Sequence, residues 1–332
     1  MARLSYLLIA LWAALHLDVP LAFAQEFSAS ASATAAPCRE LLNQAPTLKP
    51  EECDTLRLAA SSAKSVRGRP ILYRDVPARR QPASLRVLVL GTIHGDELTA
   101  ATLAFRWIKL AQEGQGSKAH EITWRFIPVV NPDGFLARPA TRVNARGVDL
   151  NRNFPTPAWE REAHRYWVTR TSRDPRRFPG HTALSEPESR FIDQQIDQFA
   201  PDLIVSIHAP LGVLDFDGPA IPPQRLGRLY LDPLGIFPGS LGHYGAVNRG
   251  IPVVTIELPH ALRAPQPDEI QTMWNDLIRW IEQRLFKARG VAPPPIADEI
   301  TAARPTLSSA DHLLRLLLPH AKQPVFHLRD TR

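Results

Sequence analysis

Two short segments carry imidazole and carboxylate groups at spacings suited to a metal ion. His94 and Glu97 lie three residues apart in GTIHGDE (91–97), and His208 ends the apolar run LIVSIH (203–208). Catalytic zinc sites use three nitrogen or oxygen ligands from the protein and leave a fourth position open. The pattern therefore predicts a zinc site, although a His-x-x-Glu segment alone is common by chance and a strand-terminal histidine is often a buried structural one.

A second group of polar residues is suited to binding and activating a substrate. Glu257 ends the apolar run VVTIE (253–257), where a buried carboxylate is costly unless it has a role such as general base. Arg142, Asn151 and Arg152 occur in one polar segment, 142–155, and guanidinium and amide groups together bind carboxylates. The alternatives are a rim carboxylate paired with a basic side chain and a surface loop with solvated charges.

The apolar pattern predicts the elements that must position these residues. Four β-branched or apolar runs are predicted as strands: residues 85–91, 122–130, 203–207 and 251–257. Three further stretches are predicted as helices: residues 97–112, 186–199 and 269–286. Strands that alternate with helices indicate an α/β sheet with helices on both faces, and active sites of such sheets gather where strands end.

The remaining sequence divides the chain into a catalytic domain with appendages. We predict a flexible leader and N-terminal arm at 25–83, the catalytic domain at 84–288, and a Pro-rich linker with a C-terminal tail at 289–332. The arm is long enough to be a small pro-region, although nothing in it indicates a processing site.

The first 24 residues have the pattern of a secretion signal. A positive start precedes an apolar run too short for a stable membrane span, and Ala22-Phe23-Ala24 predicts cleavage after Ala24. This predicts a periplasmic or secreted protein, the alternative being an uncleaved anchor. Such a compartment would allow Cys38 and Cys53 to form one short disulfide, the alternative being two free thiols in a loose N-terminal arm.

The charge of the chain limits the range of possible binding partners. The net charge of +6 is compatible with attraction to an anionic polymer such as a cell wall, but it names no partner by itself. Because no basic stripe is interleaved with aromatic residues, nucleic acid is a poor candidate. The sequence leaves the oligomeric state open.

An ordered set of motifs resembles the zinc metallocarboxypeptidases. The motifs are HxxE (94–97), NPDG (131–134), GVDLNRNF (147–154), SIH (206–208) and TIE (255–257), within a similarity that spans about residues 85–285. The resemblance implies an α/β/α sandwich around a mixed, largely parallel and largely eight-stranded sheet. Segments 147–155, 206–211 and 237–242 are most similar to murein peptide amidases, which cleave the γ-D-glutamyl–meso-diaminopimelate bond of cell-wall peptides.

The resemblance also implies roles for the residues singled out above. The two histidines and Glu97 would bind one Zn²⁺, and Glu257 would be the general acid/base. Arg142 would polarise the scissile carbonyl, and Asn151 with Arg152 would grip the terminal carboxylate of a murein-derived peptide.

Two features of the resemblance bear on the substrate. Meso-diaminopimelate carries a side-chain ammonium, so Asp215 or Asp217 is predicted to contact it, the alternative being a loop carboxylate in water. Digestive carboxypeptidases carry a mobile tyrosine shortly before a Gly-Ser pair, but segment 232–238 has no tyrosine. Tyr244 follows that pair and is the candidate replacement in substrate binding.

Three other functions remain open from the sequence. GTIHGDE (91–97) is also similar to aspartoacylase-like deacylases of N-acyl amino acids. A general metallocarboxypeptidase that trims peptide C-termini is the second. A catalytically silent wall-binding protein is the third, and retention of all the metal ligands and of Glu257 argues against it.

Overall fold

The computed structural model describes residues 34–79, 85–116 and 118–286. The predicted signal peptide at 1–24 and the predicted linker and tail at 289–332 lie outside the described residues. Within the part of the chain that the structure describes, no helix combines the length and apolar character needed to cross a membrane.

A mixed sheet of seven strands forms the centre of the fold. Its strands are β1 (Ala59–Lys64), β2 (Pro70–Val76), β3 (Leu85–Gly91), β4 (Ile122–Ile127), β5 (Leu203–His208), β6 (Leu214–Asp217) and β9 (Val253–Glu257), in the order β1-β2-β4-β3-β5-β9-β6. The central neighbours β4, β3, β5 and β9 pair in parallel, whereas β1, β2 and β6 join by antiparallel pairing. A separate two-stranded ribbon consists of β7 (Arg225–Leu226) and β8 (Leu229–Tyr230).

Helices cover the sheet. Residues 34–44 are helical and are designated α1. The others are α2 (Cys53–Leu56), α3 (Leu98–Glu113), α4 (Pro132–Phe135), α5 (Trp159–Arg170), α6 (Pro187–Phe199), α7 (Leu241–His243) and α8 (Pro267–Ile281). The α/β sandwich predicted from the sequence is confirmed, with seven sheet strands in the described residues where the resemblance implied eight.

Both faces of the central strands are buried, which explains their continuous apolar sequences. In β3, Val87 and Val89 join the apolar cluster that includes Trp107 of α3 and Trp274 of α8. Leu88, the residue between those valines, joins the opposite cluster, to which α6 contributes its apolar face. The period-two alternation of side chains therefore divides the core into two layers on either side of the sheet.

The predicted boundary of the catalytic domain at residue 84 is wrong. β1 and β2 belong to the same sheet as the catalytic strands, and everything described falls within one compact unit. α1 also packs on the core, and Cys38 on it forms a disulfide with Cys53 of α2. The sequence does not reveal that the arm joins the sheet, because β1 is an edge strand, AASSAK, whose side chains alternate only between half-buried and exposed positions.

Candidate active site

The structure brings His94, Glu97 and His208 together at the ends of two adjacent strands. His94 lies three residues beyond β3, Glu97 precedes the first residue of α3, and His208 is the last residue of β5. His94 Nδ1 lies 2.8 Å from Glu97 Oε1, and His208 Nδ1 lies 3.0 Å from Glu97 Oε2. One ligand atom from each residue lies within 4.8 Å of the others, and all three residues are buried. Such a set could hold a metal ion.

The turn that delivers His94 depends on close backbone packing. Gly95 lies so near α4 that a Cβ atom built on it would be 2.3 Å from the carbonyl carbon of Gly134. Its amide donates to the Arg142 carbonyl at 3.2 Å. The glycine therefore lets the chain after β3 pass between α4 and the Arg142 segment before α3 begins.

The remaining ring nitrogens have partners of the kind that orient metal-binding histidines. His94 Nε2 lies 3.1 Å from Asp149 Oδ1, and His208 Nε2 lies 2.9 Å from Ser206 Oγ. Each ring therefore has a partner on its outer nitrogen and turns Nδ1 toward Glu97. Metal-binding histidines are held in this way, with the second nitrogen fixed by an outer partner. Two imidazoles and one carboxylate are the donor set of a catalytic zinc site, so the residues fit Zn²⁺.

Asp149 is a site residue for which sequence reasoning assigned no role. It is fully buried, and its carboxylate also accepts hydrogen bonds from Arg142 Nη2 at 3.0 Å and from the Asn151 amide at 3.0 Å. Burial favours the neutral acid, but the charges of Arg142 and His94 outweigh it and hold the pKa of Asp149 well below its ordinary value. Its place inside the GVDLNRNF motif was the available signal.

Arg142 lies beside the predicted metal ligands. Its Nη1 is 3.6 Å from Glu97 Oε1, and Asn131 Nδ2 donates to its carbonyl at 3.2 Å. Burial alone would lower the pKa of Arg142, but the charges of Asp149 and Glu97, followed by that of Asp96, raise it. The guanidinium is therefore a fixed positive charge at the site, and the NPDG segment that supplies Asn131 supports its backbone.

Glu257 lies beside the candidate metal ligands on β9, the strand next to β5. It is the last residue of β9 and pairs in register with His208. The residue is 9% exposed, and its Oε2 is buried without a hydrogen-bond partner in the described part of the chain. Burial, together with the charge of Glu97, raises the pKa of Glu257 despite the opposing charge of His208. A buried carboxylate oxygen without a hydrogen-bond partner and with a raised pKa can accept a proton.

Asn151 and Arg152 lie in a short 3₁₀ turn directly after Asp149. Asn151 Oδ1 accepts a hydrogen bond from the Leu241 amide at 2.8 Å, which fixes the side-chain amide. Arg152 is buried with its guanidinium over the Phe237 ring, and its Nε lacks a partner among the described residues. Burial lowers the pKa of Arg152, so a bound carboxylate would compensate a charge that the fold leaves partly unpaired.

The two aspartates lie on β6, next to β9. Asp215 is buried and accepts a hydrogen bond from the Leu234 amide at 3.1 Å, which ties it to the following loop. Asp217 is half-buried and packs on Gly242, where an added Cβ would lie 2.1 Å from Asp217 Oδ2. Burial and the charge of Asp215 raise the pKa of Asp217 to about 6. Asp215 pairs in register with Thr255, two residues before Glu257, and Asp217 pairs with Val253. Asp215 is the more buried of the two and already accepts a hydrogen bond, so Asp217 has the freer carboxylate.

Tyr244 is not brought together with the candidate ligands. Its ring stacks on Phe154 at a centroid distance of 5.6 Å, and its hydroxyl donates a hydrogen bond to Asp193 of α6. Burial, with the bond to Asp193, raises the pKa of Tyr244. In this arrangement the side chain contributes packing, and its predicted contact with substrate would require the hydroxyl to leave Asp193.

The fold and the site define a zinc peptidase. Residues 48–214 match the zinc carboxypeptidase family, and the chain belongs to that family and is a hydrolytic enzyme of the metallopeptidase type. A crystal structure of thrombin activatable fibrinolysis inhibitor shares the fold, with a TM-score of 0.54 and 16% identity over 68% of this chain and 69% of that one.

Among proteins of known activity, the chain is similar to murein peptide amidase A. The protein from Vibrio campbellii is 32% identical over 206 residues, which cover 60% of this chain and 78% of the relative. The protein from Escherichia coli K12 is 28% identical over 225 residues, which cover 65% and 88%.

Proposed function

We propose that the protein is an exported, zinc-dependent amidase that hydrolyses the γ-D-glutamyl–meso-diaminopimelate bond of murein-derived peptides. The observation that carries the proposal is the convergence of His94 Nδ1, His208 Nδ1 and the Glu97 carboxylate beside Glu257. The similarity to murein peptide amidase A from two bacteria supports the cell-wall substrate.

The chain supplies most of the chemistry through fixed side chains. His94, Glu97 and His208 would hold one Zn²⁺, which when bound lowers the pKa of a water and polarises a carbonyl. Glu257 takes the proton of the attacking water and passes it to the leaving amine. Arg142, anchored by Asp149, donates to the oxyanion that develops on the scissile carbonyl.

Two further groups determine which bond is presented. Asn151 and Arg152 bind the carboxylate of the leaving diaminopimelate, because the Arg152 guanidinium is buried and incompletely paired. Asp217 binds the side-chain ammonium of that residue, while Asp215 holds the loop that begins near Leu234. Tyr244 would contact the substrate only after its hydroxyl leaves Asp193.

Export to the periplasm or the medium completes the proposal. The disulfide between Cys38 and Cys53 supports it, because disulfides persist in oxidising compartments. If residues 1–24 are a signal peptide, mass spectrometry of the exported protein will find Gln25 at its N-terminus. A mature chain that retains residues 1–24 would contradict this part of the proposal.

A substrate panel tests the activity. The zinc-loaded protein is incubated with L-Ala-γ-D-Glu-meso-diaminopimelate, an ordinary α-linked dipeptide with a blocked N-terminus, and N-acetylaspartate, and products are identified by mass spectrometry. We expect free diaminopimelate from the first, and none when a chelator is present. Turnover of the α-linked dipeptide alone would instead identify a C-terminal trimming carboxypeptidase, and turnover of N-acetylaspartate alone a deacylase.

A further inference from the structure

An arginine from a distant part of the chain lies at the rim of the candidate metal site. Arg176 is in the 3₁₀ turn Pro175–Arg177, and its Nη2 donates to Asp96 Oδ2 at 2.8 Å. Asp96 lies in sequence between the predicted ligands His94 and Glu97. The Arg176 side chain is 58% exposed and that of Asp96 is 24% exposed, so the guanidinium faces solvent beside the site.

The turn is fixed to the catalytic residues. The Phe178 carbonyl accepts a hydrogen bond from the Asp149 amide at 2.8 Å, and Asp149 contacts both His94 and Arg142. Through these bonds the position of the turn is coupled to that of the site. Arg176 therefore lies on a turn that is fixed to the candidate active site.

Charge effects on the pKa values of two site arginines indicate how far the turn Pro175–Arg177 extends along the site. Asp96, the partner of Arg176, is close enough to Arg142 to contribute to raising its pKa, after the larger effects of burial, Asp149 and Glu97. Arg177 is close enough to Arg152 to contribute to lowering its pKa, after burial and other charges. The turn thus extends from near Arg142, which is proposed to act at the scissile carbonyl, to near Arg152, which is proposed to bind the terminal carboxylate.

A γ-glutamyl bond has a chemical feature that an ordinary peptide bond lacks. The acyl residue is linked through its side chain, so its α-carboxylate remains free and lies a short aliphatic chain away from the scissile carbonyl. A cation on the acyl side, in addition to the one that binds the leaving residue, would allow a site to select such amides. Arg142 and Arg152 already have roles in the proposed function, at the oxyanion and at the terminal carboxylate.

We propose that Arg176, held at the rim by Asp96, binds the free α-carboxylate of the γ-glutamyl residue and so selects γ-glutamyl amides over ordinary α-peptides. This inference rests on the proposed function. A guanidinium has five N–H donors, so the bond to Asp96 leaves others for a carboxylate. An exposed ion pair contributes about 0–1 kcal/mol, so the Asp96 pair can adjust at little cost when substrate binds.

A matched pair of substrates tests the inference. The first is L-Ala-γ-D-Glu-meso-diaminopimelate, and the second is its analogue with a carboxamide in place of the free α-carboxylate of glutamate. We expect the unchanged protein to favour the acid by about 10- to 100-fold in kcat/KM, the range for a hydrogen bond to a charged group. Arg176→Gln should abolish that preference by slowing the acid substrate alone.

Controls separate recognition from folding. Arg170→Gln removes another exposed arginine, at the end of α5, and should keep the preference. Isothermal titration of the Glu257→Gln protein with both peptides provides a reading that needs no turnover. Its preference for the acid should disappear when Arg176→Gln is added.

Other outcomes would overturn the inference. An equal loss on both substrates in Arg176→Gln would show that Arg176 only positions the turn. An unchanged protein that does not distinguish the acid from the carboxamide would show that the α-carboxylate is not recognised. Failure of the proposed function looks different, because then neither peptide releases diaminopimelate in any variant, and the inference falls with it.

Discussion

At the scale of single residues, Asp149 links the groups that the proposed mechanism needs. One of its oxygens meets His94 Nε2 and the other accepts two hydrogen bonds from Arg142. In Asp149→Asn, one oxygen is replaced by an amide that donates instead of accepting. Since outer-sphere partners typically contribute 10- to 100-fold to metal affinity, we expect zinc affinity to fall by about that factor.

Competition with a chromophoric chelator measures this effect. Asp54→Asn, which changes an exposed carboxylate of α2, is the matched control and should bind zinc as the unchanged protein does. Unaltered zinc affinity in Asp149→Asn would contradict the role given to Asp149.

Asp217 predicts a pH dependence of substrate choice. Its pKa of about 6 means that it is mostly ionised above pH 6 and mostly neutral below. If Asp217 binds the diaminopimelate ammonium as proposed, that attraction is present above pH 6 and is lost as the pH falls through that value. We expect kcat/KM for the diaminopimelate peptide to fall on acidification relative to that for a 2-aminopimelate analogue, which lacks the ammonium.

Asp217→Asn provides the comparison. It should reduce kcat/KM for the diaminopimelate peptide at pH 8 and remove the pH dependence of the ratio between the two substrates. Asp215→Asn removes one of the two causes that raise the pKa of Asp217, so the pH dependence should remain but shift to lower pH. A ratio that changes with pH in Asp217→Asn as it does in the unchanged protein would assign the ammonium contact elsewhere.

At the scale of elements, the NPDG segment joins the N-terminal hairpin to the site. The buried Asp133 carboxylate accepts hydrogen bonds from Ser65 Oγ and the Arg67 amide in the turn between β1 and β2, both at 2.9 Å. In Asp133→Ala these donors lose their acceptor. The Ser65 hydroxyl is buried, and an unsatisfied buried donor costs about 1–3 kcal/mol, whereas the Arg67 amide is only partly buried. We therefore expect urea denaturation to show a loss of about 1–3 kcal/mol in the free energy of unfolding. A loss no larger than that of Asp54→Ala would show that the hairpin is held otherwise.

The elements also show what the sequence could predict. β3, β5 and β9 are buried on both faces, so their apolar runs were recognisable without a structure. β1 and β6 lie at the sheet edges and carry small or acidic side chains, and neither was predicted. α5 was missed as well, because only Trp159 and Ala163 among its twelve residues are buried.

The candidate site could be predicted from the sequence to about the same extent as the fold. The types and order of His94, Glu97, His208 and Glu257 indicated their chemistry, and the structure brings them together. The outer partners Asp149 and Ser206 were not identified, because their role depends on which ring nitrogen faces inward. Arg176 could not be connected with Asp96 because 80 residues separate them in sequence.

At the scale of the whole molecule, the disulfide fastens the N-terminal helix to the body of the protein. Cys38 and Cys53, 15 residues apart, are both buried in the apolar cluster that covers one face of the sheet. A cross-link that closes a loop of this size stabilises by about 3 kcal/mol. We expect the double variant Cys38→Ser/Cys53→Ser to lose about that much stability in urea, while kcat/KM below its melting range is unchanged. Full stability after the substitutions would show that the disulfide adds nothing to the core.

In the proposed mechanism, His94, Glu97 and His208 form a catalytic zinc site in which Glu257 moves the proton. This mechanism is tested most directly by measuring bound zinc and diaminopimelate release in the same preparations of the unchanged protein, Glu257→Gln and His208→Ala. We predict one zinc per chain with release in the first, one zinc with release reduced by about 10²- to 10⁴-fold in the second, and neither zinc nor release in the third. Release of diaminopimelate by His208→Ala without bound zinc, or full activity in Glu257→Gln, would contradict the account.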